Sequence, residues 1–321
     1  MRLLVTGGAG FIGSNFVRRQ VRSKNWRSIQ VLDELTYAGN RSNLTECEQD
    51  SAFKFIHGSI LDNTLVNDLM INSDIVVNFA AESHVDNSIL NPNLFVMTNV
   101  LGTLVLLNAA RDSNVETFLQ ISTDEVYGSI TTGSWTENSP LEPNSPYSAS
   151  KASADLLALS FFRTYGMDIR ITRSSNNYGP YQFPEKLIPL LITNLIDGQK
   201  LPIYGNGKNI RDWIHVEDNC AGIELVLEKG VPGNIYNLGG GFEIPNIDLA
   251  EKLLDTFNAN KKAIEFVEDR KGHDFRYSVN NDKVSLNLGF KPQIDFEFGI
   301  LQTIEWYKNN QNWWRRLKGN S

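Results

Sequence analysis

The sequence predicts an α/β protein with a doubly wound parallel sheet and a smaller mixed α/β lobe that binds substrate. Three observations support this fold class. Short apolar or β-branched runs alternate with helical stretches in the first half of the chain, a glycine-rich turn follows the first run, and the alternation loosens after about Gly179. Strands that alternate with helices form a parallel sheet covered on both faces.

The strand-length runs of the first half are, in order, 2–6, 29–32, 53–57, 75–79, 117–122 and 169–172. The helical stretches are 14–21, 64–71, 94–110 and 148–165. Later in the chain, short strands (201–203, 233–237, 264–267) mix with helices (216–227, 246–257, 296–308). We predict a first domain over 1–178 that carries the cofactor and the catalytic residues, and a second lobe over 179–321. Strand exchange between the two remains open.

Composition and charge exclude several classes of protein. The 321 residues are 41% hydrophobic and 21% charged, with a net charge of −7, so no global field attracts nucleic acid or anionic lipid. Cys47 and Cys220 are too few and too distant for a disulfide framework or a four-ligand zinc site, which favours a reducing compartment. No apolar run of eighteen residues and no leader is evident. We therefore expect a cytoplasmic protein without a metal, membrane or nucleic-acid partner.

The turn after the first strand places glycine at Gly7, Gly10 and Gly13. Glycine lets the backbone approach a pyrophosphate, whose charge then lies at the N-terminus of the following helix. Asp33 follows Gly13 by twenty residues, at the end of the second strand, where an acid binds a ribose 2′-hydroxyl. The pattern predicts a Rossmann fold that binds NAD, since Asp33 and Glu34 would repel the 2′-phosphate of NADP. The alternative is a glycine-rich turn with a surface acid at an accidental spacing.

Tyr147 and Lys151 lie four residues apart, on one face of a predicted helix. A fixed cation favours phenolate, so we predict a lowered pKa for Tyr147 and a base that takes a proton from a sugar hydroxyl as hydride leaves its carbon. In isolation this spacing is typical of a helix-surface pair. With Ser122 ending the fifth strand of a Rossmann sheet, the trio resembles the extended short-chain dehydrogenase/reductase family.

Asp124 and Glu125 follow that strand directly, at the sheet edge where ligands bind. In a dry cleft, like charges push two pKa values apart and leave one general acid and one general base, which suits elimination of water. Neighbours on a strand point to opposite faces, so both acids reach one sugar only if the strand bends at Thr123. The alternative is a pair of acids that begins a solvated loop.

Five segments carry a more specific resemblance, and it covers nearly the whole chain. They are 33–40 (DELTYAGN), 122–128 (STDEVYG), 174–180 (SSNNYGP), 184–189 (PEKLIP) and 210–213 (IRDW). Together they resemble the dTDP-glucose 4,6-dehydratase family. Asn87 and Phe275 stand where members of that family commonly have arginine, which puts in doubt only local contacts near the sugar or a loop interface.

The resemblance implies a lyase, a hydro-lyase that converts dTDP-glucose to dTDP-4-keto-6-deoxy-glucose. The steps are C4 oxidation by NAD, loss of water across C5 and C6, and return of hydride to C6. Tyr147 would be the base at C4, with Lys151 beside it and Thr123 bonded near the 4-hydroxyl. Glu125 would remove the C5 proton, and Asp124 would protonate the departing 6-hydroxyl. A nucleotide-sugar 4-epimerase or related reductase is the enzymatic alternative, and an NAD-binding regulatory protein without turnover is the alternative of another class.

The resemblance also implies the ligand contacts of matching positions. The NAD contacts are Gly7, Gly10, Phe11, Ile12, Gly13, Asp33, Leu35, Thr36, Ala38, Gly39, Ser59, Ile60, Ala80, Ala81, Ser83, Asn99, Ser122, Tyr147, Lys151 and Asn176. The nucleotide-sugar contacts are Ser83, His84, Thr123, Asn177, Lys186, Leu187, Pro202, Tyr204, Arg211, Asn246, Arg270 and His273. A chain with a net charge of −7 needs a local basic cluster for a diphosphate, and this second set supplies one.

Apolar residues on the predicted helix 148–165 exceed a single buried stripe. They include Leu156, Leu159, Phe161 and Phe162. Surplus apolar surface suggests a partner, and the resemblance implies a homodimer through helices 94–110 and 148–165. The alternative is that the sheet and the second lobe cover both faces.

Overall fold

The computed structural model describes residues 1–319. The strands of that range are β1 (Arg2–Thr6), β2 (Ser28–Asp33), β3 (Phe53–His57), β4 (Ile75–Asn78), β5 (Thr117–Thr123), β6 (Ile169–Ser174), β7 (Asn176–Tyr178), β8 (Leu201–Tyr204), β9 (Ile210–His215), β10 (Ile235–Leu238), β11 (Glu243–Pro245) and β12 (Ile264–Val267). The α-helices are α1 (Phe11–Ser23), α2 (Asn63–Met70), α3 (Val85–Leu90), α4 (Pro92–Phe95), α5 (Thr103–Asp112), α6 (Pro146–Tyr165), α7 (Leu187–Ile196), α8 (Val216–Lys229), α9 (Asn246–Thr256), α10 (Asp282–Leu288), α11 (Phe296–Asn309) and α12 (Gln311–Lys318).

Seven parallel strands form the large sheet, in the order β10-β6-β5-β4-β1-β2-β3. This order confirms the predicted doubly wound fold. The chain builds β2 and β3 on one side of β1 and then returns to build β4 on the other side. Ligands of such sheets bind beyond the carboxyl ends of the strands at this switch point. The fold therefore fixes the ligand site beside the turn that follows β1.

The smaller lobe contains the sheets β11-β9-β7 and β12-β8, packed against α7, α9 and α11. Its core includes Ile192, Leu253, Ile300 and the fully buried Trp314. β10, which the sequence pattern assigned to this lobe, lies instead at the edge of the large sheet beside β6. A four-residue apolar run does not reveal which sheet it joins, because both environments bury it. The boundary at 178/179 stays a prediction, and residues 320–321 of the predicted second lobe lie outside the described residues.

The predicted helix 94–110 is part of a continuous helical segment, in which α4 and α5 flank one π-helical stretch, Val96–Gly102. Residues Pro92–Asp112 are long and apolar enough to cross a membrane by length and composition, with a mean hydropathy of 1.5. Polar residues such as Thr98, Asn99 and Asn108 interrupt the segment, so it is apolar on average and not an unbroken apolar run. Half of the segment is buried inside the protein, where Leu106 and Leu107 join the core on one face of the large sheet. A helix packed on a sheet face passes the same test, so length and composition alone place nothing in a membrane.

Candidate active site

A cleft of about 560 Å³ opens beyond the carboxyl ends of the large sheet, between this sheet and the smaller lobe. The turn after β1, the end of β5 and the first turns of α6 line one side. The start of α7 and the segment around Arg270 line the other. The topological switch point and this cleft coincide, so the fold alone brings the predicted cofactor and substrate residues to one place.

The turn after β1 needs glycine for space as well as for backbone conformation. Gly7 has a φ of +67°, and a Cβ there would lie 2.5 Å from the backbone nitrogen of Ala80. A Cβ at Gly13 would lie 2.4 Å from the carbonyl oxygen of Gly7. Gly10 caps α1 without a side-chain hydrogen bond, which leaves the N-terminus of the helix open toward the cleft. These features fit a pyrophosphate held by backbone N–H groups.

Asp33 is buried at the end of β2 and lines the cleft. Its Oδ2 accepts a hydrogen bond from the N–H of Ala9 at 2.8 Å, and its Oδ1 accepts one from the N–H of Leu35 at 2.8 Å. Burial raises the pKa of Asp33, and these two donors oppose that rise. Each carboxylate oxygen can accept another hydrogen bond, so the group can still bind a ribose hydroxyl.

The backbone bends directly after Thr123, as it must if the adjacent Asp124 and Glu125 are to face the same cleft. β5 ends at Thr123, and Asp124–Tyr127 form a single 3₁₀ turn. The Thr123 hydroxyl caps this turn, because its Oγ1 accepts a hydrogen bond from the N–H of Glu125 at 3.3 Å and donates to Oδ1 of Asp124 at 3.2 Å. The turn ends the alternation of the strand, and the side chains of Asp124 and Glu125 both line the cleft.

The two acids have different environments. Burial, then the negative charges of Glu125 and Asp212, raise the pKa of Asp124 well above its ordinary value, and its Oδ2 is buried without a hydrogen-bond partner. Burial also raises the pKa of Glu125, but the nearby Arg211 guanidinium opposes the rise. The pKa of Asp124 is therefore raised further than that of Glu125, which suits Asp124 to act as the acid of the pair and Glu125 as the base.

Tyr147 and Lys151 lie in the first turns of α6, which begins with a capping box at Ser145, and both line the cleft. Lys151 Nζ donates to the carbonyl oxygen of Ile121 at 2.6 Å, and burial lowers the pKa of the ammonium to about 8. Burial, then the charges of Glu125 and Asp124, raise the pKa of Tyr147 well above its ordinary value. The predicted lowering of this pKa is wrong for this state, because the i, i+4 spacing reveals the lysine but neither the burial nor the two carboxylates.

Four basic side chains from the smaller lobe line the far side of the cleft: Lys186, Arg211, Arg270 and His273. Lys186 Nζ donates to the carbonyl oxygen of Ser83 at 3.2 Å, and Arg211 donates to the carbonyl oxygen of Asp274 at 3.0 Å. Arg270 forms an ion pair with Asp86 of the first domain at 3.2 Å. The protein, although acidic overall, thus concentrates positive charge where a diphosphate would lie.

His84 is held against Glu185, with 3.7 Å between Nε2 and the carboxylate. Burial, then the positive charge of Lys186, lowers the pKa of His84 to about 4. At neutral pH the imidazole is therefore uncharged, and it can contribute a hydrogen bond but no cation to the cleft.

Most of the predicted site residues line this one cleft. They are Gly7, Gly10, Phe11, Ile12, Gly13, Asp33, Thr36, Ala38, Gly39, Ile60, Ala80, Ala81, Ser83, His84, Ser122, Thr123, Asp124, Glu125, Tyr147, Lys151, Asn176, Asn177, Lys186, Leu187, Pro202, Tyr204, Arg211, Asn246, Arg270 and His273. Their individual roles stay predictions, because position alone does not test a contact with a ligand.

Three predicted cofactor contacts, Leu35, Ser59 and Asn99, are not among the residues that line the cleft. Leu35 adopts a φ of +54° and packs against the core. Ser59 Oγ donates to the Glu34 carboxylate at 2.9 Å. Asn99, in the π-helical stretch, bonds the backbone of Glu82 at 2.8 and 3.0 Å and the Ser150 hydroxyl at 2.8 Å. These side chains are thus engaged by neighbouring protein groups in the structure.

Several residues that sequence reasoning did not assign also line the cleft, among them Glu82, Asp86, Gln182, Glu185, Asp274 and Tyr277. Tyr277 Oη donates to Oδ2 of Asp274 at 2.6 Å. Glu185 lies within a segment that carried the family resemblance, so the sequence held a signal for it. Asp274 and Tyr277 follow His273 closely, and their proximity to the cleft depends on how that loop folds back.

The chain is similar to known proteins over nearly its whole length. The family model described as GDP-mannose 4,6 dehydratase matches residues 4–303. The dTDP-glucose 4,6-dehydratase of Streptomyces antibioticus is 54% identical, over 99% of this chain and 96% of that protein. The chain belongs to the dTDP-glucose 4,6-dehydratase family.

Solved structures agree with this family assignment. The crystal structure of DesIV, a dTDP-glucose 4,6-dehydratase from Streptomyces venezuelae with NAD bound, is 53% identical, has a TM-score of 0.98 and aligns over 99% of this chain and 100% of that one. The UDP-glucuronic acid 4-epimerase of Bacillus cereus has the same fold, with a TM-score of 0.91 over 96% of this chain and 99% of that one, but only 27% identity. The fold is thus shared with epimerases, and sequence identity is much higher to the dehydratases.

Proposed function

We propose that this protein binds NAD and dTDP-glucose and acts as a hydro-lyase that forms dTDP-4-keto-6-deoxy-glucose. The observation that carries the proposal is the position of Asp124 and Glu125 on one turn, in the same cleft as Tyr147 and the glycine turn. Oxidation and reduction at C4 need only the tyrosine and lysine. A second pair of groups with separated pKa values is what loss of water requires. The names of the dehydratase relatives support the same conclusion.

The residues of the cleft fit NAD. The glycine turn offers backbone N–H groups to a pyrophosphate, and Asp33 offers carboxylate oxygens to a ribose. Ser122 lines the cleft, and its Oγ is buried without a hydrogen-bond partner. This is expected of a hydroxyl that forms its hydrogen bond with a bound ligand. The chemistry that NAD supplies when bound is reversible acceptance of a hydride.

The chain's own residues move the protons. Tyr147 Oη takes the proton of the 4-hydroxyl, and Thr123 helps to orient that hydroxyl. Once C4 is a ketone, the C5 proton becomes acidic and Glu125 removes it. Asp124, whose pKa burial raises well above its ordinary value, gives its proton to the departing 6-hydroxyl. Protonated Asp124 also no longer contributes a negative charge that opposes ionisation of Tyr147.

The smaller lobe holds the nucleotide diphosphate. Arg211, Arg270 and Lys186 supply positive charge on that side of the cleft. Three polar atoms of this region, Asn177 Oδ1, Asn246 Oδ1 and Arg270 Nε, are buried without a hydrogen-bond partner. A polar ligand would satisfy such groups, which supports the assignment of these residues to substrate binding.

One incubation distinguishes the candidate functions. Purified protein is mixed with dTDP-glucose without added NAD, and the sugar is analysed. A dehydratase with retained NAD gives a 4-keto product, visible as a chromophore in alkali, whereas a 4-epimerase gives the galactose isomer and a binding protein without turnover leaves the sugar unchanged. Absence of the 4-keto product both without and with added NAD would refute the proposal. A parallel incubation with UDP-glucose measures the preference for the base.

We further propose that the protein forms a homodimer through the helical segment 92–112 and α6. Leu94, Met97, Leu101 and Leu156 are exposed apolar residues of these helices. Among the four residues that suggested a surplus, Leu159 and Phe161 are buried in the core and Phe162 is partly buried against it. The sheet therefore covers much of α6, and the support for a partner comes from the exposed part.

Light scattering of Leu156→Asp tests this interface. If Leu156 lies in an apolar contact between subunits, the charge of the aspartate weakens that contact, and the variant has the mass of a monomer where the wild type has that of a dimer. Leu286→Asp, at a leucine that is even more exposed on α10, serves as the matched control and should leave the mass unchanged. A monomeric wild-type protein would overturn the proposal.

We also propose a cytoplasmic location without membrane or nucleic-acid partners. Cys47 and Cys220 are free, buried thiols, which suits a reducing compartment, and the net charge of −7 opposes binding to polyanions. Fractionation of the source cells tests the location. Recovery in the membrane pellet would contradict it.

A further inference from the structure

Hydrogen bonds to other parts of the protein fix the glycine turn on the side away from the cleft. Ala9, fully buried in this turn, donates its N–H to Asp33, and its carbonyl oxygen accepts two hydrogen bonds. One comes from Asn43 Nδ2 at 2.9 Å, and the other comes from the backbone N–H of Asn40 at 3.1 Å. The backbone on both sides of Ala9 is therefore fixed relative to the acid that would bind ribose.

Asn43 connects this turn to the C-terminal helix, 270 residues later in the chain. Trp313 Nε1, on α12, donates to Asn43 Oδ1 at 2.9 Å. Arg18 donates to the backbone carbonyl oxygen of Asn43 at 3.1 Å. Asn43 is 2% exposed, and its amide nitrogen and oxygen have one partner each, Ala9 and Trp313. This buried side chain is a single bridge between the glycine turn and α12.

The smaller lobe anchors the other end of the bridge. The Trp313 ring lies in an aromatic cluster with Tyr181 and Trp306, with ring centroids 5.9 and 5.1 Å apart. The Arg18 guanidinium stacks over the Tyr181 ring at 3.8 Å. Arg18 belongs to α1, the helix that begins at the glycine turn. The turn and its helix are thus both tied to the lobe that would bind the nucleotide sugar.

We infer that Asn43 and Trp313 are positioning residues that hold the glycine turn and so set how long NAD stays bound. The inference rests on the proposed binding of NAD. A catalytic cycle that takes hydride from C4 and returns it to C6 requires the same cofactor throughout. Backbone N–H groups bind a pyrophosphate well only if the turn is already fixed in the binding geometry, so a loosened turn releases the cofactor sooner.

Two substitutions separate the two bonds of the bridge, and a third is the control. Trp313→Phe keeps an aromatic ring and removes the donor to Asn43. Asn43→Asp keeps an acceptor for Trp313 and replaces the donor to Ala9 with an oxygen. Trp306→Phe trims a second indole of the same cluster and leaves the Trp313–Asn43 hydrogen bond in place. All are made in the full-length chain.

The primary measurement is the release rate of NAD, followed after rapid dilution of the NAD-loaded protein. We expect release about 5-fold to 10-fold faster for Trp313→Phe, and about 10-fold to 100-fold faster for Asn43→Asp, in line with loss of one buried hydrogen bond. Trp306→Phe should stay within about 2-fold of the wild type, since it loses packing but no bond to the turn. Turnover of Trp313→Phe should return to the wild-type value when NAD is added in excess, a rescue that a damaged fold would not give.

The results separate this inference from the proposed function. Unchanged NAD release in both Trp313→Phe and Asn43→Asp would overturn the inference, whatever their activity. If Asn43→Asp fails to fold, the NAD release rate of Trp313→Phe alone tests the inference, and an unchanged rate overturns it. If the wild type retains NAD but leaves dTDP-glucose unchanged, the proposed function fails and the release rates still test the bridge. A wild type that does not bind NAD would overturn both.

Discussion

Replacement of Glu125 by glutamine removes the proposed base and little else. Glutamine has nearly the same shape, and its N–H at the backbone still donates to the Thr123 hydroxyl that caps the 3₁₀ turn. The charge of Glu125 raises the pKa values of both Tyr147 and Asp124, so its removal lowers both. The substitution therefore makes proton removal from the 4-hydroxyl no harder, while it slows proton removal from C5.

The size of the effect follows from the step that is lost. A positioned general base contributes about 10²-fold to 10⁴-fold to a rate. At about 1.36 kcal/mol for each factor of ten, the barrier to loss of water rises by about 2.7 to 5.4 kcal/mol. Oxidation at C4 should change by less than about 10-fold, because Tyr147, Lys151 and Thr123 are untouched. The variant should therefore form the 4-keto sugar that still carries its 6-hydroxyl, in an amount of at most one equivalent per bound NAD, because no hydride returns to C6 without loss of water.

The assay is incubation of Glu125→Gln with dTDP-glucose in deuterated water, acid quench and mass spectrometry of the sugar. The wild type should incorporate deuterium at C5, and the variant should form 4-keto-glucose without it. Glu34→Gln is the matched control, since Glu34 also lines the cleft but near Asp33. Its C5 exchange per turnover should equal that of the wild type. Undiminished C5 exchange in Glu125→Gln would remove Glu125 from the role of base.

Three further predictions concern charge, the core and the turn. Because Lys151 is cationic only below its pKa of about 8, kcat should fall as the pH rises through about 8, and Lys151→Arg should lose this alkaline limb. Asp155→Ala should lower the free energy of unfolding by about 3 to 5 kcal/mol in urea denaturation, since it leaves Arg173, 2% exposed, without its ion-pair partner at 2.9 Å. Gly13→Ala should abolish NAD retention in a dialysis assay, because the new Cβ would lie 2.4 Å from the carbonyl oxygen of Gly7.

Each of these predictions has a control and a contrary outcome. If the decrease of kcat above about pH 8 persists unchanged in Lys151→Arg, a group other than Lys151 causes this decrease. Asp112→Ala breaks an exposed ion pair with Arg111 and should cost at most about 1 kcal/mol; an equal loss in both aspartate variants would contradict the argument from burial. Gly319→Ala, where φ is −77° and a Cβ would make only ordinary contacts, should retain NAD. Retention in Gly13→Ala as well would show that the turn tolerates a side chain.

The parts of the site that the sequence predicted best are those encoded over a few residues. The glycine turn, the acid twenty residues later and the tyrosine and lysine on one helical face all follow from local spacing. Two adjacent acids share a site only if the strand bends at Thr123, and the structure meets this condition with a 3₁₀ turn. The prediction of a lowered pKa for Tyr147 is wrong, because burial and the charges of Glu125 and Asp124, on the turn after β5, raise it.

The sequence by itself determined the fold class, the approximate positions of the first six strands along the chain and most of the residues that line the cleft. The hydrophobic period, the glycine spacing and the i, i+4 rule all relate residues that are close in sequence. The sequence alone is therefore enough to detect them. Only the tertiary structure decided that β10 completes the large sheet, that Lys186, Arg211 and Arg270 line the same cleft as the acids, and that Trp313 reaches Asn43 behind the glycine turn. Desolvation, Coulomb interactions and long-range hydrogen bonds depend on which distant segments meet, and that information exists only once the chain has folded.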